Sequence, residues 1–187
     1  MIVGVDLAGK DKNASGIAIL NKNNIYTTEK YYDNEIIEIC KKARIVVFDA
    51  PLSLPKGRCC LEINCECSKF GHFRKSDIEI RKYGKVLPLT FRGMKKLVFR
   101  AIKLKNIIES LNKNTCVIET HPNTAKKMID VSILKRFKTN KKISKMTIHE
   151  FDAMIAAIVG YFYKKKKYIA LGDKNEGTII LPKLTSP

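Results

Sequence analysis

The sequence predicts an α/β protein: a mixed sheet in which an antiparallel three-strand meander joins parallel strands, with helices on both faces and a cysteine-containing insertion. Three observations predict it. "MIVGVD", "SGIAILN" and "NIYTTEKYY" are β-rich runs, the last two separated by the turn-like "KNN". "RIVVFDA" and "TCVIETHP" are continuously apolar rather than alternating, as strands buried on both faces are. Helical periodicity fills the intervals between and after them.

Taken in order, the meander is followed by "DNEIIEICKKA", a helix with Asp33 as expected N-cap and Ile36, Ile37, Cys40 and Ala43 on one face. The fourth strand ends in Asp49. Residues 51–93 carry prolines, glycines and clustered cysteines, and read as an irregular insertion within a single domain spanning 1–187. "GMKKLVFRAIKLKNIIESLNK" resumes an apolar helical face through Met94, Leu97, Val98, Ala101, Leu104 and Ile108. The fifth strand ends in Glu119, and Pro122 suits the first turn of a helix. "TIHEFDAMIAAIVGYFY" is the strongest helix, with Thr147 and Glu150 spaced as a capping box. "YIALGD" and "GTIILP" close the chain as short strands.

A chain of 187 residues has room for one well-cored domain. Its apolar runs are far short of a membrane span, and no basic leader precedes the first strand, so the expectation is a cytoplasmic protein without membrane attachment. Net charge +18 suggests a polyanionic partner, most simply nucleic acid. With 8% aromatic residues and no Trp, phosphate contacts rather than base stacking should dominate that binding.

Asp6, Asp49 and Glu119 each follow an apolar strand directly, and Asp152 precedes the most apolar stretch of the last helix. Parallel neighbours would bring the strand ends to one sheet edge, where ligands of α/β sheets bind. Carboxylates gathered there repel until a pKa rises or a cation binds. Oxygen-only ligands suit Mg²⁺ or Mn²⁺, and such metals promote phosphodiester hydrolysis by activating water and stabilising the leaving oxygen. His121 lies beside this set as a candidate phosphate or water contact; His149 and Glu150 are alternates on the helix, His149 reading more simply as a surface or cap residue.

Several stretches, "GVDLAGK", "FDAPLSLP", "GRCC", "GHFR", "LTFRGM", "VIETHP", "HEFDAMIAAIVG" and the tail "ALGDKNEGTIILP", together span nearly the whole chain. In this order they resemble domain-of-unknown-function family 429, predicted nucleases with a ribonuclease-H-like fold. The resemblance implies metal-dependent cleavage of DNA or RNA. It places the acids of the first strand, fourth strand and last helix on Asp6, Asp49 and Asp152, with Glu119 an addition. Related nucleases often carry Glu on the fourth strand, whereas here Asp49 precedes "APLSLP", and capping of that turn is its alternative role. A non-catalytic nucleic-acid-binding protein of this fold is the competing reading. A phosphotransferase of the actin and sugar-kinase type ranks below it, because "DLAGK" lacks a Gly-rich phosphate loop.

Four of the six cysteines lie in "RCCLEINCEC". Cys59, Cys60, Cys65 and Cys67, with His72, offer ligands for structural Zn²⁺; an iron–sulfur cluster, free thiols or disulfides are the alternatives. Around them Arg58, Lys69, Arg74, Lys75, Arg81 and Arg92 suggest a phosphate-contacting flap over the acidic edge, with a solvated basic loop as the simpler alternative.

Overall fold

A computed structural model describes residues 1–183. Its strands are β1 (Ile2–Asp6), β2 (Ser15–Asn21), β3 (Asn24–Lys30), β4 (Ile45–Asp49), β5 (Cys116–Glu119), β6 (Lys138–Thr139), β7 (Tyr168–Asp173) and β8 (Gly177–Pro182). Its α-helices are α1 (Asp33–Cys40), α2 (Lys75–Glu79), α3 (Arg92–Leu111), α4 (Pro122–Ala125), α5 (Val131–Leu134) and α6 (Ile148–Lys164). The strands form one eight-stranded sheet in the order β6-β3-β2-β1-β4-β5-β8-β7. β1, β2 and β3 are antiparallel neighbours; β4 lies parallel beside β1, and β5 parallel beside β4. This mixed sheet is consistent with a ribonuclease-H-like α/β fold.

Each face of the sheet carries its own core. Alternation along β1 sends Ile2 and Gly4 to one face and Val3 and Val5 to the other. On the first face Ile2, Ala18, Leu20 and Val47 pack with Met154, Ile155, Ile158 and Val159 of α6. On the second, Val3, Val5, Ile17, Val46 and Phe48 meet Ile36 and Cys40 of α1 and Ala101, Leu104 and Ile108 of α3. Each fully buried large side chain contributes roughly 1.5–3 kcal/mol relative to exposure, so these two layers dominate the fold's stabilisation.

Helix α6 sits unusually low on the sheet. A Cβ on Gly4 would overlap the backbone of Ala153 and Ala157, and one on Gly16 would overlap the backbone of His149 and Glu150. Only glycine permits that approach, which brings the first turns of α6 directly over the ends of β1 and β2. The expected capping box is present: Thr147 accepts from the Glu150 amide at 3.2 Å and Glu150 accepts from the Thr147 amide at 3.0 Å. Asp33, by contrast, is not the cap of α1. Tyr32 occupies that position, and Asp33 accepts instead from Arg100 Nε at 2.8 Å.

The insertion is irregular but anchored. It holds α2 and two short 3₁₀ turns, Glu66–Phe70 and Ile80–Lys82, over a small core of Leu61, Leu89 and Val98. Sequence periodicity gave no sign of β6. The Asn140 side chain secures it by bonding both the amide and the carbonyl of Thr27 on β3.

Candidate metal centre

Asp6 and Asp49 stand opposite each other in the parallel β1–β4 register and point to the same face, the one α6 covers. Over them the close-docked first turns of α6 present His149 and Asp152, which are i,i+3 neighbours on one helix face. His149 Nδ1 lies 2.7 Å from Asp6 Oδ2. Asp152 is only 8% exposed, and its Oδ1 is buried without a hydrogen-bond partner among the described residues. A buried carboxylate oxygen with no donor costs free energy and calls for an explanation.

The electrostatics of the three aspartates agree. Burial, followed by the charges of Asp6, Asp152 and Glu119, pushes the Asp49 carboxyl well above the usual carboxylate range. Burial raises Asp152 too, partly opposed by Lys126 and His149. Asp6 is likewise raised by burial, with the His149 hydrogen bond working against it. Like charges at this sheet edge add to the cost of ionising Asp49 and Asp6.

Glu119 departs from the expectation that it completes this set. In the β4–β5 register it pairs with Phe48, not with Asp49, so its side chain leaves the sheet on the opposite face. There Arg74 takes both its oxygens, Nη2 to Oε1 at 2.6 Å and Nη1 to Oε2 at 2.7 Å, and the Leu52 amide adds a bond at 2.9 Å. Arg74 also binds Asp77 through Nε and Nη2 at 3.1 and 2.8 Å, and Ser53 at 3.1 Å. These contacts use all five donors of a guanidinium that is 0% exposed. Burial opposes its charge, but Glu119 and Asp77 outweigh it and hold Arg74 protonated.

Arg74 is therefore not a phosphate contact: it is the buried counter-ion that ties the insertion to β5. Arg58, 7% exposed, is equally unavailable. Its guanidinium donates to the carbonyls of Cys60, Gly71 and Glu62 at 2.8, 2.7 and 2.9 Å and so shapes the cysteine loop. Lys75 and Arg92 remain exposed on the surface. His121 is half-buried in the wall of a 310 Å³ cleft that Asp6, Asp49 and Glu119 also line. Its ring bonds Thr124 Oγ1 at 2.8 Å, and burial, with Lys126 and Lys127, lowers its pKa, keeping it neutral near pH 7. Glu150, spent on the helix cap and on Lys141 at 2.6 Å, is not an alternate ligand.

The cysteines form a separate cluster, the group of described residues whose ligand atoms lie close enough together to share one metal ion. The sulfurs of Cys59, Cys60, Cys65 and Cys67 all lie within 4.8 Å of one another. Measured separations are 3.9 Å for Cys59–Cys65, 3.7 Å for Cys60–Cys67 and 3.3 Å for Cys65–Cys67. These are too long for disulfides. A tetrahedral site with metal–sulfur distances of about 2.3 Å has sulfur–sulfur edges of about 3.8 Å, so the four thiols could hold a metal such as zinc. His72 stands outside this set; its Nδ1 pairs with Thr90 Oγ1 at 3.1 Å. Among the described residues no helix is long and apolar enough to cross a membrane. No protein family, curated protein or solved structure matches the chain.

Proposed function

We propose that this protein is a divalent-metal-dependent nuclease, with Asp6, Asp49 and Asp152 as the carboxylate set that holds Mg²⁺ or Mn²⁺. The observation that carries the reading is the orphaned Oδ1 of Asp152 beside two further carboxyls that burial keeps from ionising comfortably. Asp6 and Asp49 line a cleft, and Asp49 and Asp152 have no ion-pair partner among the described residues, a set that fits an oxygen-ligand cation. Bound there, a divalent cation would supply charge stabilisation to a phosphoryl group and acidity to water. The chain's own residues do the rest. His149 fixes the orientation of Asp6. Lys126, whose charge reaches both Asp49 and Asp152, meets the incoming phosphate. His121, neutral in the cleft wall, is placed to accept a proton. The net charge of +18 and the resemblance to domain-of-unknown-function family 429 support nucleic acid as the substrate.

For the cysteine centre we propose zinc in a structural role, compensating the small core beneath the insertion.

Asp152→Asn tests the first proposal. At a Mn²⁺ concentration of about 100 Kd, mass action stabilises the wild type by about 2.7 kcal/mol, a melting shift of roughly 5–11 °C for a chain of this size. The variant should lose that shift together with Mn²⁺-dependent cleavage of oligonucleotides. An unchanged Mn²⁺ shift in Asp152→Asn refutes this ligand set. A lost shift in the variant, with no cleavage by wild type, favours a metal-binding but non-catalytic nucleic-acid-binding protein.

A further inference from the structure

A strongly basic groove of 640 Å³ opens beside the acid cleft, lined by Arg81, Lys82, Lys85, Lys126 and Lys127 together with Tyr83. Groove and cleft are continuous, since Lys85, His121 and Asn123 line both. Arg74, Arg100, Lys95 and Lys141 sit in ion pairs, whereas many other surface lysines do not; what sets the groove apart is that five cations share one depression. Among the described residues none of the five groove cations sits in an ion pair. Arg81 stacks on the Phe73 ring at 3.9 Å, and Lys126 reaches only the neutral amide of Asn123. Five unpaired cations along one depression repel each other and are stabilised by a chain of phosphates.

The adjoining cleft is not shaped for phosphates alone. Its apolar lining includes Leu7, Val86, Leu87, Leu89 and Met94. Tyr83 stands 41% exposed in the groove, and Leu87 54% exposed at the cleft. Apolar walls and an open aromatic ring recognise the faces of bases. In a duplex those faces are stacked on their neighbours, and exposing one costs a few kcal/mol. In a single strand they are free.

We infer that the groove and cleft together bind single-stranded nucleic acid, its phosphates on Arg81, Lys82, Lys85, Lys126 and Lys127 and one unstacked nucleotide against the apolar cleft walls. The inference rests on the nuclease reading for the identity of the polyanion. It reassigns the nucleic-acid surface from Arg58 and Arg74, which are buried, to residues of the insertion's end and of α4 and its exit.

The test measures binding without chemistry. Fluorescence anisotropy in EDTA compares labelled single-stranded oligo(dT), oligo(U) and a blunt DNA duplex of equal length on the full chain. Both single strands should bind at least tenfold more tightly than the duplex, and the difference between them reports the sugar preference. Lys82→Ala with Lys127→Ala should weaken single-strand binding about tenfold and shallow the log–log salt slope by about 1.4. Lys82→Arg with Lys127→Arg should restore both. The pair Lys165→Ala and Lys167→Ala, at the other end of α6, should leave the slope unchanged. Duplex binding as tight as single-strand binding, or an unaltered slope in the groove variant, overturns the inference even where Mn²⁺-dependent cleavage is observed. Single-strand preference and a shallowed slope without any cleavage leave the inference standing and overturn the nuclease reading instead.

Discussion

Removing the guanidinium of Arg74 gives the sharpest test of how the acids are divided between scaffold and site. Arg74→Met keeps length and packing but leaves Glu119 and Asp77 facing each other at 5% side-chain exposure, without their cation. Breaking a buried ion pair by deleting one partner typically costs 3–5 kcal/mol, or about 3–5 kcal/mol here, because the remaining charge stays buried. For a domain of this size that is a fall in Tm of roughly 6–20 °C. The loss should depend on pH with a definite sign. Burial already raises Glu119, and in wild type Arg74 pulls it back. Without Arg74 the folded-state pKa rises further above the unfolded value. The penalty is then absent below the unfolded pKa, near 4.3, and develops as pH climbs through the folded value. Paired thermal melts of wild type and variant from pH 4 to 8 should therefore show a gap that is small in acid and full at neutrality. Adding Glu119→Gln and Asp77→Asn to Arg74→Met should recover much of the stability, since no uncompensated charge remains. A variant that melts within about 0.5 kcal/mol of wild type at pH 7, as ordinary surface substitutions do, would refute the structural role of Arg74.

Two further outcomes can be checked on the same protein. Protein purified without chelator should carry about one zinc per chain, and Cys60→Ser should lose it and lower Tm, read by elemental analysis and melting; metal-free protein with all six thiols reactive would contradict the zinc assignment. Gly16→Ala should cost about 1–3 kcal/mol by driving a methyl into the His149 backbone, and should shrink the Mn²⁺-induced melting shift because His149 and Asp152 retreat from Asp6; Gly93→Ala, where the new Cβ meets nothing nearer than 3.6 Å, should be neutral or stabilising.

Much of the fold was legible because apolar runs and their order are properties of the chain itself. The meander, the two buried parallel strands and the capping box of α6 all left local signals in the sequence. What failed to read locally was register. "VGVD", "VVFD" and "CVIE" look equivalent, yet pairing Phe48 with Glu119 puts that acid on the other face from Asp6 and Asp49. Burial of charge was equally hidden. Arg58 and Arg74 sit in a polar, irregular segment that resembles a solvated loop, and only their tertiary partners, carbonyls for one and carboxylates for the other, show that both are interior. His149 looked like a surface cap residue because nothing in the sequence reveals that Gly4 and Gly16 let α6 settle onto the strand ends.

The sheet edge thus meets the same electrostatic problem twice and solves it in two ways. On the α3 side, Glu119 and Asp77 share Arg74, whose every donor is engaged, so the cluster is closed and fixes the insertion in place. On the α6 side, Asp6, Asp49 and Asp152 have no such partner among the described residues. Among the described residues His149 reaches only Asp6, and one oxygen of Asp152 has no hydrogen-bond partner. A protein able to bury an arginine on one face has the means to neutralise the other in the same way. Leaving three carboxyls without such a cation, two of them, Asp6 and Asp49, lining a cleft that continues into a basic groove, costs folding stability in the metal-free chain. On the proposed reading, binding a divalent cation would offset that cost, which is why the Asp152→Asn melts with and without Mn²⁺ probe the α6 side rather than Glu119.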